Sequence, residues 1–277
     1  MLDSDIGPCG VGLTIAADNV TLDLNGHTIR GTAASGEGPG VLLEGRTGVT
    51  VKNGAVTQFD AGVGIDGGSR NTVENMRLIN NVSNFGDWGD GVAMFQSTEN
   101  LVRNNLVEGN GPWSGISTTS GDRNTIDGNR IVNNNISGNQ TAGIRLEHIG
   151  NNGSDGNVVT NNLSQANGTF GIQLFRAGSD NIIRGNQLLQ KPFDGLQVQT
   201  GARRNTIEYN YVRLNRRDGI QLAGTGALGG ATNNLIRGNS SFGNTRWDLI
   251  DGNPACDANV WTGNQAGTGT PACVFNP

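Results

Sequence analysis

Two consecutive segments of the chain decide its fold: NIIRGNQLLQKPFDGLQV at residues 181–198 and NTIEYNYVRLNRRDGIQL at residues 205–222. The segments start 24 residues apart, and both place Asn at the first and sixth positions. Both also end in Asp-Gly followed by two apolar residues that flank a glutamine. A unit that repeats at such a fixed period indicates a solenoid, in which each unit buries its apolar side only against its neighbours.

The asparagine pattern extends over most of the chain, at a spacing of 24 residues with insertions of about five or nine residues. Asn tolerates the left-handed backbone conformation and bonds neighbouring backbone groups, so equivalent copies predict asparagine ladders at the bends. Clear copies begin at Asn100, Asn124, Asn157, Asn181, Asn205, Asn234 and Asn259, and looser ones at Asn19, Gly48 and Asn71. A third asparagine follows at Asn110, Asn134, Asn167, Asn215 and Asn244.

Each unit also carries a strand that opens with glycine and alternates apolar and polar residues. Examples are GIRLE at residues 143–147, GIQLF at 171–175, GLQVQ at 195–199 and GIQLA at 219–223. The alternation points the apolar residues inward and places Arg145, Gln173, Gln197 and Gln221 outward. Three short strands per unit, stacked in parallel at roughly 4.8 Å per coil, give about ten coils and a rod of about 50 Å.

The composition agrees with a thin, repetitive β architecture. The 277 residues include 45 glycines but only 5% aromatic and 16% charged residues. Collagen is excluded because there are only 7 prolines and no three-residue glycine period. No apolar stretch is long enough to span a membrane, and the regular apolar positions with a net charge of −5 argue against disorder.

The two ends of the chain bear on its compartment. MLDSDIGPCG has neither a basic nor an apolar signal region, so the protein is either cytosolic or has lost a signal before Met1. Cys256 and Cys273 bracket the last turn, and we predict a disulfide between them in an exported protein, which leaves Cys9 unpaired. The cysteine spacing gives no indication of a structural zinc site.

The repeats, together with GLTIAADNVTLDLNGHTIRG at residues 12–31 and DGNPACDANVWTGNQAGTGTPAC at residues 251–273, resemble the right-handed parallel β-helix repeat superfamily, which includes pectate lyase-like proteins. The resemblance implies the handedness and supports a secreted or cell-surface location. We predict one all-β domain over residues 1–277, a single-stranded right-handed parallel β-helix. It has an N-terminal coil at 1–30, regular coils at 31–246 and a C-terminal cap at 247–277. His27, in NGHTI, is assigned a structural role in the first coil.

Insertions between the coils indicate where function resides, because the regular coils are scaffold. They lie at residues 81–90, 138–142, 150–156 and 224–231, and the first three cluster around coils four to six. We predict a groove on the outer face of coils 3–6, lined by Arg145, Glu147, His148, Gln173, Phe175, Arg176, Asp87, Trp88, Asp90 and Trp113. Aromatic rings bind sugars, arginines bind carboxylates and His or a carboxylate moves protons. The alternative is that these are scattered surface residues.

The resemblance implies action on a polysaccharide, and the groove favours a lyase or epimerase of uronic-acid chains. Arg145 and Arg176 would neutralise the substrate carboxylate, and His148 would act as base or acid. Asp87, Asp90 and Glu147 would assist. The predicted substrate contacts are Trp88, Trp113, Asp87, Gln173, Phe175, Gln197 and Gln221. However, the Asp-Pro-His motif of alginate epimerases is absent, as are the motifs of polygalacturonase-like hydrolases and typical pectate lyases. A non-catalytic glycan-binding module and a structural rod therefore remain alternatives.

Two further candidate sites can also be explained by a purely structural role. Asp194 and Asp218 occupy equivalent positions of successive coils, where they either form a retaining glycosidase pair or serve only as turn residues. The loop GNNGSDGN offers Asp155, Asn151 and Asn157 as calcium ligands, but it lacks a second carboxylate and is better explained as a polar loop. No other metal or cofactor is indicated.

The charge is unevenly distributed and bears on the partner. Residues 1–175 contain 9 basic and 17 acidic side chains, whereas residues 176–246 contain 10 basic and 4 acidic ones. A locally positive half suits an acidic polysaccharide, although it also serves solubility. Nucleic acid is disfavoured by the net charge of −5 and the few aromatic residues. We expect a monomer.

Overall fold

The computed structural model describes residues 1–34, 36–84, 88–134, 142–149, 153–176 and 178–275. Within these ranges the chain is built almost entirely of short strands, with two single 3₁₀ turns at Pro254–Cys256 and Ala272–Phe275 near its end. The strands are β1 (Leu13–Ile15), β2 (Thr21–Asp23), β3 (Thr28–Arg30), β4 (Pro39–Glu44), β5 (Thr50–Thr57), β6 (Ala61–Asp66), β7 (Thr72–Ile79), β8 (Val92–Phe95), β9 (Leu101–Arg103), β10 (Leu106–Glu108), β11 (Ile116–Thr119), β12 (Thr125–Asp127), β13 (Arg130–Val132), β14 (Ala142–Glu147), β15 (Val158–Thr160), β16 (Leu163–Gln165), β17 (Phe170–Phe175), β18 (Ile182–Arg184), β19 (Gln187–Leu189), β20 (Leu196–Val198), β21 (Thr206–Glu208), β22 (Tyr211–Arg213), β23 (Asp218–Leu222), β24 (Leu235–Arg237), β25 (Ser240–Phe242), β26 (Trp247–Asp251), β27 (Val260–Thr262), β28 (Gln265–Ala266) and β29 (Gly269–Thr270).

The strands stack into parallel ladders, one strand per coil in each ladder. One sheet, called here the front sheet, has the order β1-β4-β6-β8-β11-β14-β17-β20-β23-β26-β29. The remaining strands form two ladders on the other sides of the rod. In the front sheet Ile116 pairs with Ile144, which pairs with Ile172, so equivalent inward residues lie directly above one another. The predicted parallel β-solenoid of about ten coils is confirmed.

The interior is a narrow column of apolar side chains, one layer per coil, and it includes Ile116, Ile144, Ile172 and Leu196. Space is so limited that the glycine at or just before the start of each regular front strand is a steric requirement. A Cβ atom at Gly115 would lie 2.4 Å from Cγ2 of Ile131, on the opposite wall of the coil. The glycines at this front-strand position therefore follow from the thinness of the coils, whereas others, such as Gly26 with a φ of 86°, lie in turns.

The predicted asparagine ladders are present at three corners of the coil and are buried. The backbone N–H and the side-chain Nδ2 of Asn100 both donate to Oδ1 of Asn124, each at 3.0 Å. Asn105 binds Asn129 in the same way at the second corner, with both distances 3.0 Å. Each amide thus satisfies buried polar groups of its own coil and the next, which is the condition for burying them at all.

Lys191 interrupts the third ladder. Its backbone N–H donates to Oδ1 of Asn215 at 3.0 Å, as an asparagine there would, but its side chain is completely buried. Among the described residues, its Nζ has no hydrogen-bond partner. Burial lowers the pKa of Lys191 well below its usual value of 10.5, because the charged amine cannot be solvated there.

The last coil is closed by a disulfide between Cys256 and Cys273, the pairing that the sequence predicts. Asp248 ends the third ladder, where its Oδ1 accepts a hydrogen bond from Nδ2 of Asn244 at 2.8 Å. In the first coil, Nδ1 of His27 lies 3.2 Å from Oδ1 of Asp5. Over the described residues, the structure contains no helix that is long and apolar enough to cross a membrane.

Candidate functional site

The outer surface of the front sheet carries two rows of side chains, because alternate residues of each strand point outward. Strand pairing aligns the first row in the order Ala93, Ser117, Arg145, Gln173, Gln197 and Gln221. It aligns the second row in the order Phe95, Thr119, Glu147 and Phe175. Polar and charged residues are therefore adjacent to aromatic ones over the four coils that contain β8, β11, β14 and β17.

A cavity of about 340 Å³ opens over these four strands. This volume is within the usual range for pockets that bind small ligands. Its walls combine two carboxyl groups, two guanidinium groups, three aromatic rings and three hydroxyls, which are supplied by Asp90, Glu147, Arg145, Arg176, Phe95, Trp113, Phe175, Ser114, Ser117 and Thr119, together with the side chain of Ile149.

Asp90 is the buried acid of the cavity. It lies just before β8, is 2% exposed, and accepts a hydrogen bond from the backbone N–H of Ser114 at 2.8 Å. Burial raises the pKa of Asp90 to about 7, although hydrogen bonds from Ser114 and Ser117 and the charge of Arg145 oppose the shift. A carboxyl group whose pKa lies near neutrality can both give and accept a proton at physiological pH.

Arg145 is held rigidly beside this acid. One of its terminal nitrogens lies 3.0 Å from Oε1 of Glu147, and its guanidinium carbon lies 4.1 Å from the centre of the Phe175 ring. Burial lowers the pKa of Arg145, and the charges of Glu147 and Asp90 oppose this effect. Arg145 and Gln173 do point away from the core, as predicted, but neighbouring side chains cover them, so they are only 7% and 1% exposed.

Arg176 supplies the second cation and is exposed. It follows β17 with a φ of 65°, and its guanidinium carbon lies 4.9 Å from the centre of the Phe175 ring. In the described part of the chain, no carboxylate lies within ion-pair distance of Arg176. Its guanidinium can therefore bind an anionic ligand without first breaking an ion pair of the protein.

The rings of Trp113 and Phe95, which line the cavity, are held by their neighbours, and the neighbour of Trp113 is a glycine, which has no side chain to displace it. Trp113 is 38% exposed, and a Cβ atom at Gly89 would lie 2.6 Å from its Cδ1, so the indole packs against the bare backbone of Gly89. The Phe95 ring meets the Trp88 ring edge to face, with centroids 5.4 Å apart and an interplanar angle of 88°. Trp88 thus supports Phe95 from behind instead of lining the cavity.

Several other predicted residues also lie outside the cavity. His148 follows β14, donates its backbone N–H to the carbonyl of Phe175 at 3.2 Å and is half-buried, but it does not line the cavity. Gln197 and Gln221 continue the first row beyond it, and Nε2 of Gln173 donates to Oε1 of Gln197 at 2.8 Å. Asp87 lies outside the described residues, as do parts of the insertions at 81–90, 138–142 and 150–156.

Asp194 and Asp218 are both completely buried. Nε of Arg217 donates to Oδ1 of Asp194 at 2.7 Å, and Nε of Arg246 donates to Oδ1 of Asp218 at 2.9 Å. Asp194 also accepts the backbone N–H of Asp218 at 3.1 Å. This geometry favours the turn interpretation over an accessible glycosidase pair.

The described residues contain no group of three or more His, Cys, Asp or Glu side chains placed to hold a metal ion. In the candidate calcium loop, Oδ1 of Asp155 accepts the backbone N–H of Ser179 at 2.7 Å. The backbone N–H of Asn157 donates to Oδ1 of Asn181 at 2.8 Å, within the first asparagine ladder. Asn151 is outside the described residues. The polar-loop interpretation accounts for these contacts.

Sequence reasoning missed Phe95 and the hydroxyls of Ser114, Ser117 and Thr119. The segment GISTT at residues 115–119 carries only one of the two inward aliphatic residues of the regular front strand, so it does not stand out as one. Alignment on Gly91 and Gly115 with the two-residue alternation would have placed Phe95, Ser117 and Thr119 on the outer surface.

Comparison with known proteins gives a family and several structural relatives. The model of a right handed beta helix region matches residues 6–148 and 133–252. The periplasmic alginate epimerase AlgG has a TM-score of 0.69 at 15% identity, over 87% of this chain and 59% of that one. An alginate lyase from Paenibacillus sp. str. FPU-7 has a TM-score of 0.61 at 15% identity, over 93% and 89% of the two chains.

A variant of DFA-IIIase from Arthrobacter chlorophenolicus A6 is more distant, with a TM-score of 0.57 at 11% identity, over 86% of this chain and 59% of that one. The chain thus spans about three fifths of the length of both AlgG and DFA-IIIase. No curated protein sequence matches it significantly. At these identities the likeness concerns the fold.

Proposed function

Because the chain belongs to the family of right-handed β-helix proteins, we propose that it is an exported enzyme that modifies an acidic polysaccharide, with the cavity on the front sheet as its active site. The structural relatives support a polysaccharide as the substrate, since two of them are named as an alginate epimerase and an alginate lyase. The Cys256–Cys273 disulfide supports export, because disulfides persist in oxidising compartments. We expect the enzyme to act as a monomer.

The proposal is carried by the geometry of the cavity, where the buried carboxyl of Asp90 and the exposed guanidinium of Arg176 line the same space. Over the described residues, Arg176 forms no ion pair of its own. A uronic-acid lyase or epimerase needs a cation at the substrate carboxylate, because the proton at C5 becomes removable only when the developing negative charge is stabilised. Arg176 is suited to this role. Such an enzyme also needs one group that donates a proton to the sugar and one that accepts a proton from it, and the cavity offers Asp90 and Glu147.

In the lyase reaction, Glu147 accepts the C5 proton and a double bond forms between C4 and C5. The C4–O bond then breaks, and its oxygen takes the proton of Asp90. In the epimerase reaction, the C4–O bond stays intact and Asp90 returns a proton to the opposite side of C5. Asp90 and Glu147 take the role that the sequence assigned to His148, because His148 does not line the cavity.

Hydrolysis is the second candidate, and the presence of two carboxyl groups in one cavity favours it. A pair of carboxyl groups, of which one holds its proton near neutrality, is the arrangement that glycoside hydrolases use as acid and base or nucleophile. This pair would be Asp90 and Glu147, instead of the buried Asp194 and Asp218.

Mass analysis of products after incubation with uronic-acid and neutral polysaccharides tests the proposal. Fragments with a dehydrated, unsaturated end identify a lyase, hydrated fragments identify a hydrolase, and an inverted C5 at unchanged mass, read by NMR, identifies an epimerase. Arg176→Gln should abolish activity on uronic-acid chains. Arg204→Gln, which removes an exposed arginine paired with Asp180 at 2.7 Å outside the cavity, is the matched control.

A folded wild-type protein that alters no polysaccharide would contradict the enzyme proposal. Retained glycan binding would then identify a binding module, and absence of both would leave a structural rod.

A further inference from the structure

The two ends of the cavity along the rod axis differ. Toward the C-terminal coils, the first row continues with Gln173, Gln197 and Gln221. Toward the N-terminal coils, Ser117 is followed by Ala93 and then by Gly64. Because Gln173 is covered, the first direction offers a ligand the amide groups of Gln197 and Gln221, whereas the residues in the second direction carry no amide side chain.

The N-terminal end is closed by an aromatic wall. A Cβ atom at Gly64 would lie 2.6 Å from the six-membered ring of Trp88 and 2.7 Å from Cγ of Pro39. The indole therefore lies directly on the strand backbone, in the place of a first-row side chain. Phe95 lines the cavity in front of it, with its ring edge to face against the indole. A polymer lying along the first row would meet the Trp88 ring at this point.

Toward the C-terminal coils, the first row ends in two half-buried glutamines, Gln197 and Gln221, and Oε1 of Gln221 is buried. Gln197 is held by the hydrogen bond from Gln173 and by a second one, at 3.2 Å, from Nε2 of Gln199. Three coil steps separate Arg145 from Gln221, so the polar row extends about 14 Å beyond the arginine. Glutamine amides both donate and accept hydrogen bonds, which suits the hydroxyl groups of successive sugar units.

We propose that the site binds the end of a polysaccharide chain and therefore acts on terminal units, not on internal ones. The terminal unit lies in the cavity against Phe95, and the following units extend over Gln173, Gln197 and Gln221. Trp88 determines this specificity by holding Phe95 in place and covering Gly64. This inference rests on the proposed polysaccharide-modifying function and adds the mode of attack.

The product sizes during a time course test the inference. Wild-type protein should release one short product from the first time point, while the remaining polymer shortens slowly. For an epimerase, the changed units should lie only at chain ends. Trp88→Ala opens the wall and should give products of many sizes, or changed units throughout the chain. Tyr209→Ala, which removes an aromatic ring that is 54% exposed outside the front sheet, should keep the wild-type pattern.

A second measurement uses wild-type protein alone, so it does not depend on the folding of a variant. Polymers with a chemically blocked reducing or non-reducing end should differ, and the block at the recognised end should slow the reaction at least tenfold. Products of many sizes from wild-type protein, or equal rates on all blocked polymers, overturn chain-end recognition but leave the enzyme proposal intact. Absence of any product overturns the enzyme proposal and this inference with it.

Discussion

Asp90 and Asp194 occupy the same position in two different coils, yet their surroundings differ. Each precedes the glycine that opens a front strand, and each accepts a backbone N–H from the next coil, at 2.8 Å from Ser114 and at 3.1 Å from Asp218. Asp218 repeats the arrangement, with the N–H of Trp247 at 3.2 Å. All three carboxyl groups are buried, so burial alone does not distinguish them.

The difference lies in one residue of the following coil. Arg217 donates a hydrogen bond to Asp194, and Arg246 donates one to Asp218. The residue at the equivalent position next to Asp90 is Trp113. Burial raises the pKa of both Asp90 and Asp194, but Arg217 opposes the rise at Asp194. We infer that a turn aspartate can serve as a proton carrier where the arginine of the following coil is replaced by an aromatic ring, which makes Asp90 the candidate catalytic member of the set.

The largest effect on activity should come from a substitution that leaves position 90 unable to exchange a proton. Asp90→Asn keeps an acceptor for the N–H of Ser114 but cannot exchange a proton, so we expect activity to fall by about 10²- to 10⁴-fold. Initial rates on the substrate identified above measure this loss. An Asp90→Asn variant with wild-type activity would remove Asp90 from the mechanism.

The same substitution should change the pH dependence of stability. Between about pH 4 and pH 7, the folded state holds a proton on Asp90 that the unfolded state has lost, so the stability of the wild type falls as the pH rises through this range. The full effect is about 4 kcal/mol. Asp90→Asn should lack this part of the slope in urea unfolding measured from pH 4 to pH 7.

Asp194→Asn should have the opposite profile, because this aspartate is structural in our interpretation. The ion pair with Arg217 is lost, and we expect the free energy of unfolding to fall by about 1–3 kcal/mol with activity preserved. Urea unfolding and initial rates on one preparation separate the two effects. Loss of activity without loss of stability would restore Asp194 and Asp218 as the catalytic pair.

Trp113→Arg tests the comparison directly, because it gives Asp90 the neighbour that Asp194 has. A guanidinium beside the carboxylate should lower the pKa of Asp90 toward its usual value by about 1–3 units. The pH–rate profile should then shift to lower pH by the same amount, whereas Trp113→Phe should leave its position unchanged. An unshifted profile with arginine would mean that Asp90 does not control the reaction.

Lys191, away from the cavity, extends the comparison to a buried basic group, for which burial shifts the pKa in the opposite direction. The folded state releases the Lys191 proton well below pH 10.5, so the stability of the wild type should rise with pH between the lowered pKa and 10.5. Lys191→Asn completes the third ladder and should raise the free energy of unfolding by about 1 kcal/mol at neutral pH. Equal stability and an unchanged alkaline slope would contradict this account.

The fold was predictable because its determinants repeat. Asn181 and Asn205 report the coil length, and Gly195 and Gly219 mark the start of each front strand, so local patterns alone define the stacking. The two-residue alternation also placed Arg145, Glu147 and Phe175 on one surface. These predictions use only positions within one coil and the period between coils.

The chemistry of the site was less predictable, because it depends on contacts between coils. The pairing of Asp194 with Arg217, 23 residues later in the chain, follows from side-chain directions that the sequence pattern does not give. His148 lies just after the end of β14, where the alternation no longer fixes the side chain. Trp88 belongs to an insertion, and its position over Gly64 has no counterpart in the repeat.

The asparagine ladders have a consequence for how such a protein evolves. Each ladder asparagine bonds its counterpart in the adjacent coil, as Asn181 does with Asn205 at 3.0 Å, and a duplicated 24-residue segment would present the same bonds at both of its boundaries. The number of coils is therefore free to change without redesign. Duplication beyond Phe175 would lengthen the polar surface while Asp90 and Arg145 stay in place, so under the proposed function the length of chain bound and the reaction could be selected separately.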